Sequence, residues 1–417
     1  MAVSILMDGK ILVGGRSSVS GLGFDFAMAR YHPNGMLDST FDNDGIVTTD
    51  IDGFNDYGDA MELQSDGKIV MAGYSYNGIN TSLATIRYKS NGSLDNTFGV
   101  NGKVKTQVGN IYLDGQSLCI QNDNKIIVSA TTVLPGNIYD VLMTRYNTNG
   151  THDSTFGVNG IVTTDICYTD HSYSIDLQAD GKILVGGSST DTVTSIAGRS
   201  FGLLRYNTNG TLDTTFDGDG KVISKISNQA DQALGMAVQS NGKIILVGHS
   251  ADGVSNFKIA LACYQTNGNL DSSFGTNGVT FTNIASEHEY GESVAIQKDG
   301  KIVITGFIKN GGTFEIFVAR YFGDIPFPLS IAEDLKRESE TLFPNPFTRT
   351  TTIIMEPPVK NATLTLYDLF GNKVNTRQHL SGSSLTFDRG NIQAGLYMLY
   401  LLEGNKIIMK KKVLITD

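Results

Sequence analysis

The chain has 417 residues, 40% of them hydrophobic, with 3 Cys and no Trp, which excludes a mainly disordered polypeptide and a disulfide framework. Lys+Arg 32 against Asp+Glu 42 gives a net charge of −10, the wrong sign for a nucleic-acid partner, whose phosphates need a basic face. No run of about 18 apolar residues occurs, so no segment reads as a transmembrane helix.

From its first residues the chain repeats one unit. A polar turn followed by an apolar run recurs as DGKILVGG (Asp8 to Gly15), DGKIVMAG (Asp66 to Gly73), DNKIIVSA (Asp123 to Ala130), DGKILVGG (Asp180 to Gly187), NGKIILVG (Asn241 to Gly248) and DGKIVITG (Asp299 to Gly306). The lysines Lys10, Lys68, Lys125, Lys182, Lys243 and Lys301 are spaced by 58, 57, 57, 61 and 58 residues. A second marker close to LDSTF places Phe41, Phe98, Phe156, Phe216 and Phe274 on the same period. Two independent columns with one spacing make chance coincidence untenable.

Each unit reads as strands. In the second, MELQ (residues 61–64) alternates, Asp66-Gly67 turns, Ile69-Val70-Met71 continues, SLATIRY (Ser82 to Tyr88) follows, and KVKTQV (Lys103 to Val108) ends the unit. Asp-Gly between such runs signals a hairpin, because Gly accepts the positive φ of the turn. Four short antiparallel strands, repeated six times at about 58 residues, predict radial packing: an all-β, six-bladed β-propeller over residues 1–323. The predicted blades are about 1–52, 53–109, 110–166, 167–226, 227–284 and 285–323, with a solenoid stack or open sandwich as the alternative. The last unit stops at FEIFVARY (Phe314 to Tyr321) without a fourth strand, so the final blade is incomplete. Residues ahead of Met1 would be needed to supply a closing strand.

These markers resemble the delta-60 repeat proteins, whose units read close to DGKILVGG…ARYNxNGxLDxTFGxxGKVTT. The resemblance covers residues 1 to about 323 and implies a propeller, without implying a reaction.

After Tyr321 the pattern changes. Residues 324–341 read as a linker, with a capping-box pair Ser330 and Glu333 that allows one short helix. Residues 342–417 form a separate alternating set: TTTIIME (350–356), ATLTLYD (362–368), LTFDR (385–389), GLYMLYLLEG (395–404) and KIIMKKKVLI (406–415). They predict a small immunoglobulin-like β-sandwich. This segment resembles the C-terminal sorting domain of type IX secretion system cargo of Bacteroidetes. The matching residues are Pro344, Asn345, Pro346 and Phe347 of FPNPF; Tyr367, Asp368 and Gly371 of LTLYDLFGNKV; Gly395 and Tyr397; and Lys410 and Lys411 of the terminal basic strand. The resemblance implies recognition by the outer-membrane secretion machinery and release to, or display on, the cell surface. Such export needs a Sec signal, and MAVSILMDGK has no basic n-region or apolar h-region, so the signal is expected upstream of Met1.

Conserved-chemistry motifs are scarce. No GxSxG, P-loop, GxGxxG or HExxH occurs, and Cys119, Cys167 and Cys263 lie in different repeat columns and read as separate thiols. Asp42-Asn43-Asp44-Gly45 and Asp217-Gly218-Asp219-Gly220 resemble parts of calcium loops, but lack the bidentate Glu and also suit a turn. No cofactor or metal is therefore expected, with calcium the one alternative entertained. Arg30, Arg87, Arg145, Arg205 and Arg320 beside Tyr, with Asp38, Asp95, Asp153, Asp213 and Asp271 in the LDxTF marker, predict a structural Arg–carboxylate bond in most blades.

In an up-down meander the invariant turns share one end, and the variable loops and inter-blade connections share the other. Binding usually resides in variable loops on a rigid scaffold. Candidate contacts there are Asp52, Tyr57, Asp59, Tyr112, Asp114, Tyr168, Asp170, His171, Glu287, His288, Glu289 and Tyr290. The sequence thus predicts a secreted or surface-displayed propeller that binds an extracellular polymer, glycan or protein without catalysis. Two alternatives stand beside it: a hydrolase or lyase with acids from converging loops, and a structural surface protein without a discrete ligand. Clustered carboxylates in the central opening would favour the enzyme, and exposed aromatics in a groove would favour glycan binding.

Overall fold

The structure, a computed structural model, describes residues 2–19, 23–111, 116–135, 138–190, 198–251, 256–284, 288–310, 312–321, 341–367, 373–403 and 406–416. The chain forms two compact units, Met1–Ser330 and Ile331–Asp417, and every element named among the described residues is a strand.

The first unit is built from six antiparallel sheets in chain order, of which the third and fourth are joined edge to edge by one parallel bridge, Tyr139 to Thr169. The second sheet is representative: Asp56–Leu63, Ile69–Tyr76, Thr81–Tyr88 and Lys103–Thr106. The sixth holds three strands, His288–Ile296, Ile302–Asn310 and Thr313–Tyr321. In the third sheet the first strand is split into Asn110–Ile111, which pairs with Thr132 and Val133, and Ser117–Ile120. One cavity of about 950 Å³ is lined by the first strands of all six sheets, through Val3, Met61, Leu118, Ile175, Met236 and Val294. The sheets therefore stand around an axis as blades, which excludes the stack and the open sandwich.

The DGK turns form as the sequence dictates. In each, the Asp or Asn side chain at the first position accepts from the Lys backbone N–H two residues on, at 3.1–3.2 Å. The last Gly of the motif has a different reason. Gly73, Gly187, Gly248 and Gly306 face a bulge in the first strand, and an added Cβ would lie 1.8 Å from the carbonyl oxygen of Tyr57, His171, Gln232 or Tyr290.

The recurrent Arg-Tyr pair staples a blade to the one before through Tyr and to the one after through Arg, because adjacent strand residues point to opposite faces. Tyr88 donates to Thr49 of the preceding blade at 2.8 Å, Tyr206 to Thr164 at 2.8 Å and Tyr321 to Thr282 at 2.7 Å. The Arg reaches forward: Arg30 donates to the carbonyl of Ser90 at 2.7 Å, Arg87 to Thr148 at 2.5 Å, Arg145 to Thr208, and Arg205 to Thr266 at 2.5 Å. The predicted carboxylate bond is present in the same four blades, Arg Nε to Asp Oδ2 at 2.7–2.9 Å. Each guanidinium also lies 4.3–4.6 Å from the ring of Phe41, Phe98, Phe156 or Phe216, all fully buried. In the fifth blade Cys263 replaces the Arg, and Lys243 holds Asp271 at 2.7 Å.

Five apolar clusters fill the five junctions between consecutive blades. Among the described residues none joins the sixth sheet to the first. Val3 is accordingly 66% exposed where its column mate Met61 is 4% exposed, and Phe314, Ile316 and Val318 are exposed on the sixth sheet.

In the second unit a five-stranded sheet wraps one core containing Phe347, Ile353, Leu364, Phe387, Leu399 and Val413. The expected strands 350–356 and 362–368 are one bent strand, Thr350–Tyr367, and 385–389 is the end of a long strand, Lys373–Asp388. Pro357 and Pro358 have no N–H to donate, so the register jumps between Ile354 and Val359 while the chain keeps its direction. The bend lets both halves of one strand cover the same core.

Candidate binding face, central channel and sorting domain

At the variable-loop end, half-buried aromatic side chains gather at two blade junctions. Between the first and second blades, Tyr57 stacks on Tyr74 at 4.5 Å and lies 5.3 Å from Phe24, with the Arg16 guanidinium 4.5 Å over its ring. Between the fifth and sixth, Tyr290 stacks on Phe307 at 4.6 Å and meets His249 at 4.8 Å and Phe257 at 5.4 Å, with His288 beside Phe257. Burial near Arg199 pushes His249 and His171 down to about 4, so both rings are neutral at pH 7. His171 packs between Tyr139 and Tyr173.

The other expected contacts divide. Tyr168 is exposed, and Asp59 lines the channel. Asp52 is held by Lys105 at 2.6 Å and by Ser75 at 2.8 Å. Tyr112, Asp114 and Glu287 lie outside the described residues. Asp170 and Glu289 are fully buried and point into the scaffold instead of the loop face. Asp170 accepts from the backbone N–H of Ile166 at 2.6 Å and Cys167 at 3.1 Å, and Glu289 accepts from Ile284 at 2.5 Å. Asp56 and Asp231 do the same for Ile51 and Ile226. An acid five residues before the channel column thus clamps each of these four connections. Sequence reading missed this device, although Asp56, Asp170, Asp231 and Glu289 share one column.

Inside the ring, Tyr173, Gln232 and Arg199 form a polar chain, Arg199 donating to Gln232 at 2.7 Å and Gln232 to Tyr173 at 2.8 Å. Towards the invariant turns the channel opens into a second cavity of about 1040 Å³, and Glu62 and Asp176 line both. Burial raises both carboxyls above the usual carboxylate range, and each also raises the pKa of the buried Cys119 thiol between them. Among the described residues, the carboxylates shared by the two cavities come from first strands. The Asp42–Gly45 and Asp217–Gly220 segments are turns with φ of 48° at Asp42 and 52° at Asp217, and Asp44 and Asp219 accept from Ile46 and Lys221 two residues on.

In the second unit the separate pieces of the tail motif meet. Asn345 accepts from the Leu414 N–H at 2.8 Å, Phe347 N–H donates to Leu414 at 3.0 Å, and Thr416 N–H donates to Phe347 at 2.9 Å. Pro344 accepts from the Thr351 hydroxyl at 2.7 Å, and Pro346 leads into the buried Phe347. The proline-rich entry is thus stitched to the terminal strand Lys406–Ile415, which carries Lys410 and Lys411. Arg389 closes the same corner, donating to Thr416 at 2.6 Å and Thr348 at 3.0 Å. Tyr367 packs edge-on against Tyr400 at 5.5 Å, and Tyr397 donates to Gln393 at 2.9 Å beside Gly395. Asp368 and Gly371 lie outside the described residues, as does the expected linker helix.

Fold, channel and staples define a repeat β-propeller followed by a separate β-sheet domain. Residues 7–41, 64–98, 121–156, 178–216 and 239–274 match the Domain of unknown function (DUF5122) beta-propeller family, and residues 341–416 match the Secretion system C-terminal sorting domain. The chain is a DUF5122-repeat propeller protein with a type IX sorting tail, which engages the secretion machinery for delivery to the cell surface or extracellular space. No match is found among curated proteins. Similar solved structures include a protein from Lactobacillus plantarum (TM-score 0.44, 11% identity, covering 91% of this chain and 99% of that one). Others are a protein of unknown function from Bacteroides caccae (TM-score 0.41, 12% identity, 76% and 93%) and a PL25 ulvan lyase (TM-score 0.44, 12% identity, 77% and 78%).

Proposed function

We propose that the propeller is a non-enzymatic binding module for an extracellular polymer, engaged at the variable-loop face, with a glycan the ligand class that suits it best. The observation that carries this reading is the pair of half-exposed aromatic clusters around Tyr57 and Tyr290. Aromatic faces supply apolar area at low entropic cost, and Arg16 supplies donors beside one of them. The test is a polysaccharide array followed by calorimetric titration of the full chain. Tyr57→Ala and Tyr290→Ala should each weaken binding by about tenfold, corresponding to about 1.4 kcal/mol. Absence of any polysaccharide ligand, or unchanged affinity in both variants, rejects it.

A second reading, a hydrolase or lyase, is favoured by Glu62 and Asp176 in the channel. Two carboxyls raised by burial are the kind of groups that acid–base catalysis uses. It requires product release from a polysaccharide that Glu62→Gln abolishes.

A further inference from the structure

At two blade junctions the fold brings three positions together: the residue five before the staple Arg on the third strand, the residue that follows the fourth strand, and the connection clamp of the next blade. At the first junction these are Asp25, Asp50 and Asp56, and at the third they are Asp140, Asp165 and Asp170. In both triads one oxygen from each carboxylate lies within 4.8 Å of the other two. Elsewhere the same positions avoid this concentration of charge. At the second junction they hold Ser82 and Gln107, bonded to each other at 2.5 Å. At the fourth they hold Ser200 and Lys225 beside Asp231.

The protein satisfies the triads only in part: Gly53 N–H donates to Asp50 at 2.6 Å and the Ser189 hydroxyl to Asp170 at 2.5 Å, but one buried oxygen in each triad lacks a donor. Asp56 is fully buried; its Oδ2 accepts from Ile51, but no donor reaches Oδ1. Asp140 is 7% exposed, and no donor reaches its Oδ1 either. Lys103 and Lys221 donate to the backbone carbonyls of Asp50 at 2.6 Å and Asp165 at 2.7 Å. Buried charge without a partner is costly, and three carboxylates at contact distance call for a cation.

We propose that the first and third blade junctions each bind one calcium ion, through Asp25, Asp50 and Asp56 and through Asp140, Asp165 and Asp170. Two oxygens on one calcium at about 2.4 Å lie no more than about 4.8 Å apart, which matches both triads. The donors are all oxygen, which selects a hard cation. The ligands come from three separate chain segments, an irregular set that calcium accepts more readily than the octahedral Mg²⁺. Each ion ties the third strand and the end of the fourth to the next blade, reinforcing the Arg and Tyr staples. This inference does not rest on the polymer reading.

The experiment uses the full chain, stripped with chelator and titrated with CaCl2 by calorimetry, with thermal melts in parallel. The expected stoichiometry is two, with affinities on the order of 0.1–1 mM, as in extracellular calcium modules, and a Tm that rises with calcium. Asp140→Ser with Asp165→Gln copies the pair already used at the second junction and should fold; it should bind one ion. Asp25→Ser with Asp50→Gln should also bind one, and all four changes together none. Asp42→Asn with Asp217→Asn should leave two. No calcium binding by the unaltered chain at about 10 mM, or a stoichiometry that the triad pairs leave unchanged, overturns the proposal. So does a loss of sites in the Asp42 and Asp217 variant.

Discussion

Replacing Arg145 by Met isolates the worth of the staple, because the same carboxylate has two cations of unequal burial. Arg145 donates to Asp153 at 2.9 Å, to Thr155 at 3.1 Å and to the carbonyl of Thr208 in the next blade, and it covers Phe156 at 4.6 Å. Its side chain is 7% exposed and that of Asp153 is 5% exposed. Lys125 reaches the same Asp153 at 3.0 Å but is 29% exposed. Breaking a buried pair costs about 3–5 kcal/mol, because the remaining charge stays desolvated. Lys125 and the Thr155 hydroxyl and N–H remain on Asp153, so Arg145→Met should fall near the lower end, about 3 kcal/mol. Lys125→Met should cost about 1 kcal/mol or less. At about 2 °C per kcal/mol for a domain of this size, the propeller transition should drop by about 6 °C and at most about 2 °C, respectively. Differential scanning calorimetry of both variants measures this. If Arg145→Met destabilises no more than Lys125→Met, the staple is not what holds the turn and the next blade together.

Gly187→Ala should destabilise by about 3 kcal/mol or more, since its Cβ would sit 1.8 Å from the His171 carbonyl, whereas Gly218→Ala, with nothing within 4 Å, meets only the αL penalty of about 1–2 kcal/mol; chemical denaturation separates the two. Acid should unfold the propeller in two stages. His249 titrates at about 4 folded against about 6.5 unfolded, so the unfolded chain binds more protons across that window and stability falls as pH drops through it. Asp95, Asp153, Asp213 and Asp271 are held below the usual carboxylate range by hydrogen bonds and neighbouring cations. Their contribution is complete above the unfolded carboxylate value of about 4 and is lost as pH falls below it. His249→Phe should flatten the first stage, measured as melting temperature against pH. In the tail, Phe347→Ala should cost about 3–5 kcal/mol within its own unit and block export, read as cell-associated against extracellular protein.

Much of the architecture was written along the chain. A hairpin turn needs residues near in sequence, so Asp66-Gly67 and its equivalents announce themselves, and period-two alternation places Arg87 and Tyr88 on opposite faces before any fold is known. The spacing of those markers was enough for blade number, and the FPNPF and basic-strand motifs were enough for the sorting tail. What the chain order could not reveal was which faces meet. Asp170 and Glu289 looked like loop ligands because they flank variable connections, yet the first strand turns them inward onto backbone N–H groups. Glu62 and Asp176 come from alternate blades and share a cavity because the ring closes their first strands around it. Asp25, Asp50 and Asp56 are unremarkable singly, and their charge becomes costly where segments of two blades converge and bury Asp56. Local hydrogen bonding specified the blades; desolvation and like-charge proximity exist once the blades are packed, and they set the chemistry of the junctions and the channel.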